Sequence, residues 1–82
     1  MPSPLTFIYA GIIKILAGTS ESSNFTTLGI LPPMPNEEVI LTPIGQNVHV
    51  YLNYDEVTPG NSTIQSSSTV ATDLEVHIRI GK

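Results

Sequence analysis

Eighty-two residues suffice for one domain, close to the size at which a single core is only just adequate. With no cysteine, neither disulfides nor thiolate metal sites can supplement that core. Three basic residues (Lys14, Arg79 and Lys82) against seven acidic ones leave a net charge of −4. That balance speaks against a phosphate-binding surface for nucleic acid and against docking on an anionic membrane.

Charged residues are only 12% of the chain, about half the usual share, so solvation falls to hydroxyls and amides. Ser and Thr together number 17, a composition that suits exposed strand faces and turns. A small β protein without covalent staples commonly gains stability by burying surface against its own copies or a larger partner.

Residues 5–16, LTFIYAGIIKIL, form the most apolar run. The preceding Met1, Pro2, Ser3 and Pro4 carry no basic side chain, unlike the start of a signal peptide. The run is also too short for a transmembrane helix and is interrupted by Gly11 and Lys14. Phe7, Ile8, Tyr9, Ile12, Ile13 and Ile15 are strong strand formers, so a strand is predicted, with Gly11 marking a bulge or bend. Its two apolar faces predict cover on both sides, and Pro2 and Pro4 suggest an extended arm leading in.

A polar loop over 18–24 is followed by a predicted short strand over 25–31. Pro32, Pro33 and Pro35 break it, since prolines do not serve a central ladder. A strand is expected over 37–42, a turn over 42–47, and a strand over 48–54 in which apolar and polar residues alternate. Pro59-Gly60 has the type II turn signature. Hydroxyl-rich 62–72 leads, through Val70 and Thr72, into the clearest strand pattern, 74–80. Leu74, Val76, Ile78 and Ile80 are expected to face Val48, Val50, Leu52 and Tyr54 across the core. Without helical periodicity, the chain reads as all-β: one domain, 1–82, forming a small antiparallel β-sandwich or barrel of five to seven short strands. Within it, 1–17 is an apolar strand or arm and 25–80 the sandwich core.

Candidate chemistry is sparse. His49, His77 and Glu75 fall on predicted wet faces of two strands and could form an open metal site, but cross-strand pairing explains them as well. Glu37-Glu38 and Asp55-Glu56 are neighbours in sequence, and neighbouring strand residues point to opposite faces, so neither is a natural acid/base dyad. No Gly-x-Ser-x-Gly elbow or phosphate-cradling glycine loop occurs. The chain is therefore expected to be non-enzymatic, with no cofactor. Two glycosylation sequons, at Asn24 and Asn61, have no signal peptide to support them. Tyr51, beside His49 and Asn53 on a predicted outer face, could recognise sugar or protein.

The order Phe25-Thr26-Thr27-Leu28-Gly29-Ile30-Leu31-Pro32, then Pro35 and Val39-Ile40-Leu41-Thr42-Pro43, resembles small β-sandwich domains of bacteriophage tail-fibre and baseplate proteins. There a Leu-Gly-x-Leu-Pro turn precedes a proline, a strand and two alternating strands. The resemblance spans roughly 25–80, judged by turn and strand order. Met34 stands where a basic residue usually precedes the proline, and 55–72 is a longer insert, so no binding residue carries over. The resemblance implies a β-sandwich, often trimeric, working as a structural or receptor-facing part of a virion.

The expectation is thus a virion structural protein, assembled in the host cytoplasm. Capsid decoration is favoured over a short fibre, because no coiled-coil or shaft segment is present. The alternative is a carbohydrate- or protein-binding module, such as a receptor-facing fibre or baseplate domain. Partners would be the major capsid protein or neighbouring copies in a homo-oligomer, reached by strand addition and apolar contact. Candidate partner-binding residues are Phe7, Tyr9, Ile13, Pro32, Pro33, Pro35 and Tyr51.

Overall fold

The final strand predicted from sequence lies at the centre of the molecule. A computed structural model of the chain describes residues 7–81, with side chains from Tyr9 onward. Its five strands are β1 (Phe7–Ile15), β2 (Glu38–Ile44), β3 (Val50–Asn53), β4 (Thr63–Ser66) and β5 (Leu74–Gly81). They form an antiparallel three-stranded sheet in the order β1-β5-β2 and an antiparallel pair, β3-β4. The small antiparallel all-β fold expected from the alternation is the observed one. The proposed arm over 1–6 lies outside the described residues.

β5 alternates strictly. Leu74, Val76, Ile78 and Ile80 are buried, Glu75 and Arg79 are exposed, and His77 is half-buried. Each such apolar side chain, removed from water, contributes about 1.5–3 kcal/mol before conformational costs. Both flanking strands follow this pleat: Ile13 and Pro43 stand opposite Val76, and Gly11 and Leu41 opposite Ile78. The facing sheet contributes Val50 and Ile64, with Val48 and Leu52 packed alongside. The predicted opposition of the two alternating segments is therefore real, with Tyr54 half-buried outside the cluster.

Between the sheets the chain is tied by its backbone. After β1 it runs along β4, where Ser22 N–H donates to Ile64 O at 2.8 Å and Ser66 N–H donates to Ser20 O at 2.8 Å. Three buried serines, Ser22, Ser62 and Ser66, serve the same wiring. Ser22 Oγ accepts the Ile64 N–H at 3.0 Å, and Ser62 Oγ accepts the Asp55 N–H at 2.8 Å. Ser66 Oγ donates to Ser68 O at 2.7 Å.

Several local expectations are corrected. Residues 25–31 are not a strand: Phe25–Leu28 form a single helical turn, α1. Asn24 Oδ1 caps it by accepting the Thr27 N–H at 2.7 Å, and Gly29 closes it at φ 74°. That combination of an Asn cap and a left-handed glycine outweighs the β-propensity of the two threonines. Pro59–Asn61 form a 3-10 turn rather than a type II turn. The irregularity in β1 falls between Phe7 and Tyr9, not at Gly11. Gly11 instead makes room for a side chain, because a Cβ there would lie 2.9 Å from Tyr9 Cζ. β1 also buries one face only, since Ala10, Ile12 and Lys14 are exposed.

Candidate functional site

The N-terminal strand and the proline segment, far apart in sequence, meet at one end of the sandwich. Tyr9 from β1 and Ile80 from β5 form one wall of a groove of about 280 Å³, and Ile30, Leu31, Pro32, Met34 and Glu37 form the other. The prolines explain this placement. They keep 32–35 out of any ladder, so the segment passes over the sheet end and leaves its larger side chains outside. Leu31 is 86% exposed and Met34 56% exposed, so two large apolar side chains stand in solvent beside the groove.

A second, shallower groove of about 180 Å³ lies across the same ridge, lined by Pro33, Met34, Pro35, Glu37, Val39, Leu52 and Tyr54. The ridge is held by reciprocal bonds: Met34 N–H donates to Glu37 Oε1 at 2.7 Å, and Glu37 N–H donates to Met34 O at 2.9 Å.

The sequence-predicted partner residues divide accordingly. Tyr9, Pro32, Pro33 and Pro35 line the two grooves. Of these, Pro33 is almost fully buried and lies at the floor of the second groove. Ile13 is only 2% exposed and its side chain points into the core, because odd-numbered positions of β1 face inward. The Phe7 side chain lies outside the described residues. Leu31, Met34 and Glu37 were missed by sequence reasoning. Their signal was the placement of large apolar residues between prolines, where neither helix nor ladder can cover them.

Tyr51 lies on the opposite sheet. Its ring stacks on His49 with centroids 5.8 Å apart, and its hydroxyl donates to Gln65 Oε1 at 3.0 Å. Gln65 Nε2 in turn donates to Glu21 Oε2 at 3.1 Å. Tyr51, His49 and Asn53 share the exposed face predicted for them.

The proposed metal triad does not assemble. Glu75 and His77 belong to β5 and His49 precedes β3, so they sit in different sheets and not on neighbouring strands. The inner faces of those sheets share the core, so their wet faces point in opposite directions. Among the described residues no group of three or more His, Asp or Glu could hold a metal ion. On the outer face of the three-stranded sheet, Glu75 stands opposite Lys14 in register. No described helix is long and apolar enough to cross a membrane. Comparison with protein-family models, with curated proteins and with solved structures finds no match to this chain.

Proposed function

We propose that the chain is a non-enzymatic structural part of a larger assembly, and specifically a bacteriophage virion protein that decorates or cements the capsid. The observation that carries the assembly reading is the apolar end of the sandwich, where Leu31 and Met34 stand exposed beside a groove reached by both Tyr9 and Pro32. The virion assignment adds the resemblance of residues 25–80 to phage β-sandwich domains. Partners would be the major capsid protein or neighbouring copies.

Burying Leu31 and Met34 would contribute about 1.5–3 kcal/mol each. Association costs at least about 4 kcal/mol, so these two residues alone would hold a partner weakly. Further contact through the grooves or a strand edge is needed, which suits a protein working in a multivalent shell. The test is co-sedimentation of the purified chain with virions of the phage that encodes it, beside a Leu31→Asp/Met34→Asp variant. Saturable binding by the wild type that the variant loses supports the reading. Absence of the chain from purified virions, together with no binding, overturns it.

A second reading is a carbohydrate- or protein-binding module using the β3-β4 face. It is favoured by the Tyr51–His49 stack beside the hydrogen-bonded Gln65 and Glu21, an aromatic surface next to polar groups. Glycan-array binding removed by Tyr51→Ala, with unchanged thermal unfolding, would favour it over the capsid role.

A further inference from the structure

The edge strands of this fold are unequally protected. β2 is seven residues long and carries Pro43, which lacks an N–H. β3 spans only four residues, and β4 has the 20–22 segment bonded along it. Short length, proline and covering segments are the usual devices that stop an edge from pairing with another chain. β1 is neither short nor broken by proline and has no covering segment among the described residues; of the other edge-blunting devices it carries a bulge at its very start, between Phe7 and Tyr9, and one lysine near its end, Lys14. It is nine residues long, and Lys14 is its single ionisable group besides Tyr9. Among the described residues, no backbone hydrogen bond outside the β1-β5 ladder reaches it. Its outer face adds Ile12, 56% exposed.

We infer that β1 pairs antiparallel with β1 of a second copy across a two-fold axis, joining two three-stranded sheets into one. The inference rests on the assembly reading above and names the contact. An open strand edge demands backbone donors and acceptors in extended conformation, so its natural occupant is another strand. The strand matches itself: about Gly11 its inward positions 9, 11 and 13 map onto one another, as do its outward positions 10 and 12. With the axis at Gly11 the regular stretch 9–13 overlaps with its copy, so that Ile12 stands against Ala10 of the second copy and Ile13 against Tyr9.

Buried face then continues into buried face and outer face into outer face. The two Lys14 side chains fall about 20 Å apart at roughly 3.4 Å per residue. That exceeds the Debye length of about 8–10 Å near physiological salt, so they repel little. Each Lys14 also stands opposite Glu75 of its own chain. Such an isologous contact closes on itself and stops at two copies along this edge.

The test uses the full chain, labelled with ¹⁵N, over a range of concentrations. Light scattering should give twice the 8.8 kDa chain mass. Alternate amides of β1 point away from β5; in the pair they should be protected from hydrogen exchange as strongly as those facing β5. Ile12→Lys, at an exposed position, should weaken self-association about tenfold or more by placing like charges across the axis. Adding Ala10→Glu should restore it, because position 10 faces position 12 of the second copy. Circular dichroism checks that both variants fold, and the exchange measurement on the wild type stands without them. A chain that stays monomeric at all concentrations overturns the inference, as does an oligomer whose outward β1 amides exchange freely. If either still binds virions, the assembly reading survives and only the pairing is lost.

Discussion

Glu37 and Met34 bond to each other twice. The Glu37 carboxylate accepts the Met34 N–H at 2.7 Å, and the Glu37 N–H donates to the Met34 carbonyl at 2.9 Å. The closed turn presents Met34 between two grooves, so a charged side chain here fixes an apolar one. Glu37→Ala removes one of the two bonds, a charge-assisted one worth about 1.5–3 kcal/mol when well shielded and less at this half-buried position. A loss near 1 kcal/mol would lower Tm by about 4–8 °C in a domain of this size. Faster exchange of the Met34 amide should accompany it. Glu37→Gln keeps an acceptor and should lose less than half as much.

Gly11 and Tyr9 form a second such pair within β1. A Cβ at position 11 would meet the Tyr9 ring, which packs against the core and lines the larger groove. Gly11→Ala should therefore displace the ring and cost about 1–3 kcal/mol, the range for overpacking. In the Tyr9→Ala background the same change should be nearly neutral, because the obstructing ring is gone. Urea unfolding of the four proteins gives the coupling energy. Additive effects would mean that the ring does not lie over the glycine.

Legibility in the sequence followed the strength of the repeat. β5 was readable because four buried positions alternate with polar ones, and β3 because its alternation continues that of Val48 and His49. β1 was located but its burial was overestimated. Ile12 is as apolar as Ile13, and only the pairing with β5 decides which faces inward. α1 is four residues long, too short for any period to declare itself. Its Asn24 cap and Gly29 terminus were nevertheless present to be read. The apolar end joins residues 9, 31, 34 and 80, whose meeting depends on β1 and β5 pairing antiparallel. No local pattern encodes that proximity.

Ser22 tests whether the hydroxyl-rich composition is structural. Its side chain is buried, accepts the Ile64 N–H at 3.0 Å and donates to Ser23 O at 2.8 Å. Ser22→Ala removes an acceptor from a buried donor and should cost about 1–3 kcal/mol. Ser67→Ala, at an exposed position, should stay within about 0.5 kcal/mol of the wild type. Equal effects in chemical denaturation would deny the wiring role of the buried serines.

Thr63 presents the opposite case. Its Oγ1 is buried, with no hydrogen-bond partner among the described residues, while its backbone stands opposite Asn53 in the β3-β4 ladder. A buried hydroxyl without a partner costs about 1–3 kcal/mol by mutational measures. Valine has nearly the same shape, is β-branched and favours strands. Thr63→Val should therefore stabilise the domain by about 1 kcal/mol, where most substitutions destabilise. Thermal unfolding should show a rise of about 4–8 °C. A fall in Tm would mean that the hydroxyl is satisfied in solution, and Thr63→Ser would then retain the stability that valine loses.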